Sequence, residues 1–290
     1  MITRLAASAL CSLLAACAAT GSGSIVTTAG DGTEERIPAS LLKPEGTGPF
    51  PAVVMMHDCS GLGPNSSGAP GRWAKELVAH GYVVIIPDSF TTRGFPNGVC
   101  TDPSRGPRVA PVQRARDAYA TLAYLRTLAY VDGGRVGVMG GSHGGSTTLL
   151  AMRPLRGAAA GRPGFAAAVA LYPGCATPAG KLIGDSGGVY RPLAPLLILV
   201  GELDDWTPAE PCRKLADAAS KAGYPVAIKV YPGAYHSFDS SNPPRYVAAR
   251  LNMNSPTGHG ATTGGNTEAW ADSIREVLAF FGRNLAPPVR

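Results

Sequence analysis

The sequence predicts a doubly wound α/β domain in which helices flank a mostly parallel sheet. Short apolar runs recur along the chain and alternate with segments of helical periodicity. The runs are continuously apolar, which is typical of strands buried on both faces in parallel sheets. One of them, RVGVMGGSHGGST at residues 135–147, ends in a glycine cluster that leads straight into a helical segment. Because the 290 residues are 45% apolar, we expect one large domain rather than two small ones.

Residues 1–24 have the pattern of an export signal, so the predicted domain covers residues 25–290. Arg4 supplies the positive charge, and residues 5–16 form an apolar stretch too short to span a bilayer. We therefore expect an exported protein of the bacterial cell envelope, or a secreted one.

The end of this segment, Leu14-Ala15-Ala16-Cys17, resembles the lipobox of bacterial lipoproteins, in which the cysteine is lipidated and becomes the mature N-terminus. Ala18 at the next position points, by the same resemblance, to the outer membrane. Cleavage at a nearby small residue, without lipidation of Cys17, is the alternative.

The first part of the domain predicts a hairpin followed by a crossover. Residues 24–39 alternate around a Gly-Asp-Gly turn, which predicts an antiparallel hairpin at the edge of the sheet. Residues 51–57 and 82–86 are continuously apolar and predict buried strands, with a short helix at 72–80 between them. Strand, helix and strand at this spacing predict a parallel crossover unit.

The second part of the domain continues the alternation. A helix from after Pro107 to about residue 128 is expected to pack on the sheet through one face, made by Ala115, Ala118, Leu122, Leu125 and Ala129. Further strands are predicted at 136–139, 165–171, 196–200 and 226–231, and further helices from 147 onward, at 211–222 and at 268–281. The connection between the strands at 165–171 and 196–200 is too short for a folded cap domain, so we predict none.

Ser142 is the candidate nucleophile because it occupies a tight turn between a predicted strand and a predicted helix. Gly140 and Gly144, two residues to either side, leave room for the turn, which pushes the hydroxyl clear of the backbone. The first N–H groups of the helix then face whatever that hydroxyl attacks, which suits a developing oxyanion. A second G-x-S-x-G match, GDSGG, places Ser186 in a loop-like stretch with no strand leading into it, so Ser142 is preferred.

His236 is the candidate general base. A serine hydroxyl becomes a good nucleophile only when a base takes its proton and a carboxylate orients that base. His236 lies in YPGAYHSF, directly after the last predicted strand, where a loop can reach back over Ser142. The other histidines fit the role less well: His57 and His80 precede Ser142, the ring of His143 should project away from it, and His259 lies in a glycine-rich loop expected to be exposed.

The orienting carboxylate is expected in the turn GELDDWTP, directly after the strand at 196–200. Asp204 is the first choice for the acid and Asp205 the alternative. Either could instead cap the helix that begins near Pro208. One of them can do so while the other holds His236.

The oxyanion is expected to bind two backbone N–H groups. One belongs to His143, directly after the nucleophile, and the other to Cys59, in the turn after the strand at 51–57. The thiol of Cys59 could be a reactive group, but we favour a disulfide or a packing role.

Four cysteines follow the export segment, and an even number in an oxidising compartment predicts disulfides. We predict a bridge between Cys175 and Cys212, which follow the ends of neighbouring strands, and a second one between Cys59 and Cys100. Because no pair has C-x-x-C spacing, we predict no metal site.

The motifs PAVVMMHDCSGL, MGGSHGG, LVGELDDWTP and YPGAYHSF occur in this order, and together they resemble the dienelactone hydrolase family of α/β-hydrolases over nearly all of the mature chain. The resemblance implies the α/β-hydrolase fold, with Ser142 as nucleophile, Asp204 as acid and His236 as base. Enzymes of the family that open dienelactone carry cysteine as the nucleophile in this turn, whereas this chain carries Ser142. Many relatives also have His-Gly where this chain has the HDCSG turn.

These observations predict a serine hydrolase that cleaves carboxylic esters or lactones through an acyl-enzyme, with a small-molecule substrate and no cofactor. The alternatives are a non-catalytic envelope protein that binds a ligand on the same fold, and a small peptidase-like hydrolase. The net charge of +6 is scattered rather than clustered, so we expect no nucleic-acid partner. We expect membrane contact only through a lipid on Cys17.

Overall fold

The computed structural model describes residues 19–153, 164–176 and 189–287. The strands are β1 (Ala19–Thr28), β2 (Glu34–Lys43), β3 (Phe50–Met56), β4 (Val83–Pro87), β5 (Val131–Gly141), β6 (Ala167–Leu171), β7 (Leu196–Gly201), β8 (Val226–Tyr231), β9 (Arg245–Leu251) and β10 (His259–Thr263). The α-helices are α1 (Ala69–Ala79), α2 (Pro111–Leu125), α3 (His143–Ala151), α4 (Ala209–Lys221) and α5 (Thr267–Asn284). None of these helices is long and apolar enough to cross a bilayer.

The first eight strands form one sheet in the order β1-β2-β4-β3-β5-β6-β7-β8. Strands β4, β3, β5, β6, β7 and β8 are parallel, because the chain returns through a connection on one face of the sheet before each new strand is added. The pairs β1 with β2 and β2 with β4 are antiparallel. The predicted mostly parallel α/β sheet is therefore confirmed.

Helices cover both faces of the sheet. Val54 and Met56 of β3 pack in the core layer that includes α2, α3 and α4, whereas Val53 and Met55 pack in the layer that includes α1 and α5. Successive residues of a strand point to opposite faces, so a strand covered on both sides must be apolar throughout. This is why continuous apolar runs located the central strands.

The predicted hairpin at the sheet edge is confirmed, but it is longer than expected. Strand β1 begins at Ala19, six positions before the predicted start of the domain at residue 25, and Ala19 pairs with Lys43 of β2. Residues 19–24, which we assigned to the export segment, are therefore part of the sheet here. Residues 1–18, including Cys17, lie outside the described residues.

Two helix boundaries differ from the sequence prediction. Helix α3 begins at His143 rather than at residue 147, because the chain enters the helix directly from Ser142. Helix α2 ends at Leu125, so Ala129 is exposed and does not extend the packing face, whereas Ala115, Ala118, Leu122 and Leu125 are buried as predicted.

Strands β9 and β10 form a separate two-stranded sheet that we did not predict. His259, expected in a loop, begins β10, although its side chain is exposed as predicted. This hairpin lies in sequence between β8 and α5, so it follows the loop that carries His236.

Both predicted disulfides are confirmed. Cys59–Cys100 ties the turn after β3 to a loop, and Cys175–Cys212 ties the segment after β6 to α4. Ser186 and the rest of the second G-x-S-x-G match lie outside the described residues.

Candidate active site

Ser142 lies at the junction of β5 and α3 with φ 54° and ψ −115°, a backbone conformation that only a tightly constrained turn imposes on a serine. Its N–H donates to the carbonyl of Leu171 on β6, at 2.9 Å. A Cβ on Gly140 would lie 2.6 Å from the carbonyl of Gly144, and a Cβ on Gly144 would overlap the main-chain oxygen of Met56. The two glycines are therefore required for β3, β5 and α3 to approach one another at the serine.

His236 connects Ser142 to Asp204. Its Nε2 lies 2.9 Å from Ser142 Oγ, and its Nδ1 lies 2.8 Å from Asp204 Oδ2. All three side chains are buried. Since a carboxylate only accepts hydrogen bonds, Nδ1 donates to Asp204 in the neutral ring and Nε2 is left to accept from the serine hydroxyl.

The position of His236 is fixed by two neighbouring aromatic rings and by a backbone hydrogen bond. Tyr172 and Trp206 each place a ring centroid 4.7 Å from the imidazole. The carbonyl of His236 accepts from the N–H of Gly264, which directly follows β10. The hydroxyl of Tyr172 donates in turn to buried Asp239, whose pKa is raised by burial.

Asp204, not Asp205, contacts His236. Asp204 Oδ1 accepts from the N–H groups of Trp206 and Thr207 at 3.0 and 2.7 Å, which fixes the carboxylate beside the imidazole. Neither carboxylate caps α4, whose N-cap residue Pro208 has no side-chain cap bond. The capping alternative is therefore wrong for both.

Asp205 fixes the β9–β10 hairpin instead. Its carboxylate accepts from the N–H and the hydroxyl of Thr262 on β10, at 2.8 and 2.9 Å. Its carbonyl accepts from the side-chain amide of Asn252, at the end of β9. The adjacent Trp206 donates from Nε1 to the carbonyl of Leu251, so the same turn holds both the histidine and the hairpin.

Two clefts meet at Ser142, and both are also lined by Cys59 and Trp206. The first, called the apolar cleft, has a volume of about 230 Å³, and its walls include Arg105, Val109, Pro111, His143, Leu251 and Met253. The second, called the polar cleft, has a volume of about 160 Å³, and its walls include Asp58, Ser60, Arg72, His236, Asn242 and Arg250. The two predicted oxyanion residues, Cys59 and His143, thus lie beside the nucleophile.

Arg114 is a buried residue of the site that sequence reasoning missed. Its Nη1 lies 2.7 Å from His143 Nδ1, and its Nη2 donates to the carbonyl of His57 at 2.7 Å. The guanidinium lies over the ring of Phe90, and burial lowers its pKa to about 9. Arg114 therefore links the turn that leads to Cys59 with the first residue of α3.

The charge of Arg114 also sets the state of His143. Burial and the neighbouring guanidinium hold the pKa of His143 well below its usual value, so the ring is neutral at pH 7. Because guanidinium only donates, Nδ1 of His143 accepts and the ring proton is on Nε2. In the sequence, Arg114 could have been noticed only as a single arginine on the apolar side of α2, the side that carries Ala118 and Leu125.

Asp58, Cys59 and Cys100 place possible ligand atoms within 4.8 Å of one another. The two sulfur atoms are bonded to each other as a disulfide, so neither can serve as a thiolate ligand. This cluster therefore does not form a metal site.

Comparison with known proteins supports the same fold and family. The sequence profile of the dienelactone hydrolase family matches residues 37–285. A protein of Methylorubrum extorquens named "Putative carboxymethylenebutenolidase" is 28% identical over 225 residues, which cover 73% of this chain and 71% of that protein.

Two solved structures share the fold. A dienelactone hydrolase-like promiscuous phosphotriesterase from metagenomic libraries has a TM-score of 0.65 at 20% identity, over 92% of this chain and 99% of that chain. Thermogutta terrifontis esterase 2 phosphorylated by paraoxon has a TM-score of 0.63 at 20% identity, over 92% and 96% of the two chains. Because the family profile extends over nearly the whole described domain, this chain belongs to the dienelactone hydrolase family and is a hydrolase that acts on ester bonds.

Proposed function

We propose that this protein is a serine hydrolase that cleaves carboxylic esters or lactones through an acyl-enzyme on Ser142. The observation that carries the proposal is the unbroken hydrogen-bonded line from Asp204 through His236 to Ser142, with contacts of 2.8 and 2.9 Å. A hydroxyl, an imidazole and a carboxylate in this order form the arrangement that activates serine in acyl transfer.

In the acylation step, Ser142 Oγ attacks the ester carbonyl carbon while His236 Nε2 takes the hydroxyl proton. The imidazolium that forms is stabilised by the carboxylate of Asp204. The carbonyl oxygen becomes an oxyanion that accepts from the backbone N–H groups of Cys59 and His143. The bond to the alcohol oxygen then breaks, and His236 gives its proton to that oxygen.

In the deacylation step, water takes the place of the alcohol. His236 Nε2 removes a proton from the water, whose oxygen attacks the acyl carbon and forms the second oxyanion. Collapse of this intermediate returns the proton to Ser142 Oγ and releases the acid. When the substrate is a lactone, the alcohol and the acid are the two ends of one product.

The experiment that tests the proposal is labelling with a fluorophosphonate probe together with hydrolysis of p-nitrophenyl butyrate. Wild-type protein should be labelled and should hydrolyse the ester, whereas Ser142→Ala should do neither. Ser220→Ala, at an exposed position on α4, is the control and should behave as wild type. An unlabelled and inactive wild-type protein would instead favour a ligand-binding role for this fold.

We also propose that the protein is exported and carries a lipid on Cys17. Strand β1 begins at Ala19, so a mature chain that starts at Cys17 retains the whole strand, whereas cleavage after residue 24 removes the part of it that pairs with residues 38–43. Metabolic labelling with a radioactive fatty acid tests this in a bacterial host. The wild-type chain should incorporate label and fractionate with membranes, and Cys17→Ala should do neither.

A further inference from the structure

The two clefts at Ser142 differ in chemistry, and the difference bears on which ester the enzyme prefers. This inference rests on the proposed function, because it assigns one cleft to the acyl part of the substrate and the other to the alcohol part. The assignment follows from the path of the proton. His236 must protonate the departing alcohol oxygen, so the alcohol lies in the cleft whose wall includes His236, which is the polar cleft.

The acyl group then occupies the other cleft, the apolar cleft. Its carbonyl oxygen must face the N–H of His143, and His143 lines the apolar cleft but not the polar one. Val109, Pro111, Leu251 and Met253 offer the acyl chain hydrocarbon contacts. Burial of such a chain in these surroundings is favourable by the hydrophobic effect.

Arg250 is a residue of the polar cleft whose Nε has no hydrogen-bond acceptor among the described residues. Its Nε is buried and has no hydrogen-bond partner, and no residue in the described parts of the chain forms an ion pair with its guanidinium. The guanidinium lies over the ring of Trp206, with its carbon 5.1 Å from the ring centroid. A buried donor without an acceptor is costly, so a ligand that accepts from Arg250 would recover free energy.

The same cleft also carries carboxylate groups. Asp58 is buried at the wall of the cleft and accepts from Ser60 and Ser67, and buried Asp239 also lines the cleft. An anion in the cleft would be repelled by these carboxylates, and a cation would be repelled by Arg72, Arg245 and Arg250. A hydroxyl is both a donor and an acceptor and carries no charge, so it can bond to both kinds of group.

We infer that the preferred substrates are esters of an apolar acid with an alcohol that bears several hydroxyl groups, such as a glycerol or monosaccharide unit. The acyl chain lies in the apolar cleft, and the remaining hydroxyls of the alcohol bind in the polar cleft, with Arg250 as a donor. Arg250 is on β9, so the hairpin between His236 and α5 provides this specificity.

The test compares two esters with the same carbon skeleton, 1-butyrylglycerol and propyl butyrate, which differ only in two hydroxyl groups. Each kcat/KM is divided by the rate of hydroxide hydrolysis of that ester in water, to remove the difference in leaving-group reactivity. We expect the wild-type enzyme to favour the glycerol ester at least tenfold. In Arg250→Met, which keeps an unbranched side chain near Trp206 but has no donors, the ratio should fall to near one.

Arg275→Met, at an exposed position on α5, is the control and should keep the wild-type ratio. A second measurement uses wild-type protein alone, so it does not depend on the variant folding. Butyryl-enzyme formed from p-nitrophenyl butyrate is offered equal concentrations of glycerol and 1-propanol. The acyl group should pass from Ser142 Oγ mainly to glycerol, with the proton of the alcohol going through His236 to the serine.

Equal normalised rates for the two esters together with equal transfer to the two alcohols would overturn the inference and leave the proposed hydrolase intact. If Arg250→Met still prefers 1-butyrylglycerol over propyl butyrate as strongly as the wild type does, Arg250 does not bind the alcohol. If the protein is not a serine hydrolase at all, the result is different, because then neither ester is hydrolysed and the fluorophosphonate does not label Ser142.

Discussion

Asp204 and Asp205 are adjacent in sequence, but their carboxylates bind different parts of the molecule. Asp204 accepts from His236 Nδ1 at 2.8 Å, whereas Asp205 accepts from the backbone and hydroxyl of Thr262 on β10. One turn after β7 thus orients the imidazole and anchors the hairpin that lines both clefts. This division makes the two residues a matched pair for mutation.

We expect Asp204→Asn to lower kcat by about three orders of magnitude or more, because the amide cannot stabilise the imidazolium and no longer fixes the tautomer that accepts from Ser142. Asp205→Asn should lower kcat by about tenfold or less, since it loosens the hairpin but leaves the line to the serine intact. Steady-state kinetics with p-nitrophenyl butyrate measures both. Equal losses in the two variants would contradict the assignment of Asp204.

The second prediction concerns Arg114, which contacts no substrate-binding cleft and positions His143 and the turn before Cys59. In Arg114→Met we expect kcat to fall by about ten- to a hundredfold with a smaller change in KM, because the oxyanion is formed only in the transition state. Arg114→Lys should recover only part of the loss, since one ammonium cannot reproduce the planar fork.

The control for Arg114 is Arg116→Met, two residues along the same helix and exposed to solvent. It should retain wild-type kcat and KM. A rise in KM with unchanged kcat in Arg114→Met would mean that Arg114 acts on substrate binding and not on the oxyanion site.

The residues closest to the chemistry were predictable because their signals are local. Ser142 lies between two glycines at a strand end, Asp204 follows the continuously apolar strand β7, and His236 follows the last strand of the large sheet, β8. The local pattern favoured Asp204 but kept Asp205 as the alternative, because a turn of adjacent carboxylates does not itself reveal which one faces inward.

The hairpin and Arg114 lacked such signals, for different reasons. Strand β9 is RYVAARL, with mostly exposed or half-exposed side chains, so it has neither a continuous apolar run nor a clean alternation. The burial of Arg114 depends on acceptors from His57 and His143, which reach it only once β3 and α3 are in the sheet. Long-range partners of this kind are not visible in a local pattern.

The third prediction uses the two disulfides, which close loops of similar length, with sequence separations of 41 and 37. By the loop-entropy argument each should stabilise the fold by about 4 kcal/mol, so replacing either pair with alanine should lower the free energy of unfolding by similar amounts. Only Cys59–Cys100 holds a predicted oxyanion residue. Its removal should lower kcat at least tenfold.

Removal of Cys175–Cys212 should change kcat much less, which makes it the control for destabilisation alone. Urea unfolding and kinetics at a temperature where both variants are fully folded give the two quantities. Parallel losses of kcat in both variants would show that the disulfide near Ser142 has no special role in activity.

The last prediction concerns pH and the two buried histidines next to Arg114. Burial, together with the charge of Arg114, holds the pKa of both His57 and His143 well below 6.5 in the folded protein. Below pH 6.5 the unfolded chain therefore binds protons that the folded protein does not, so stability falls as pH decreases. At pH 5.5 each histidine should cost on the order of 1 kcal/mol relative to neutral pH. Urea unfolding at pH 7.5 and 5.5 measures the loss. In His57→Gln the loss should be smaller by the contribution of one histidine, because other titrating groups such as Asp239 affect both proteins equally. An identical pH dependence in the two proteins would mean that His57 is protonated in the folded state.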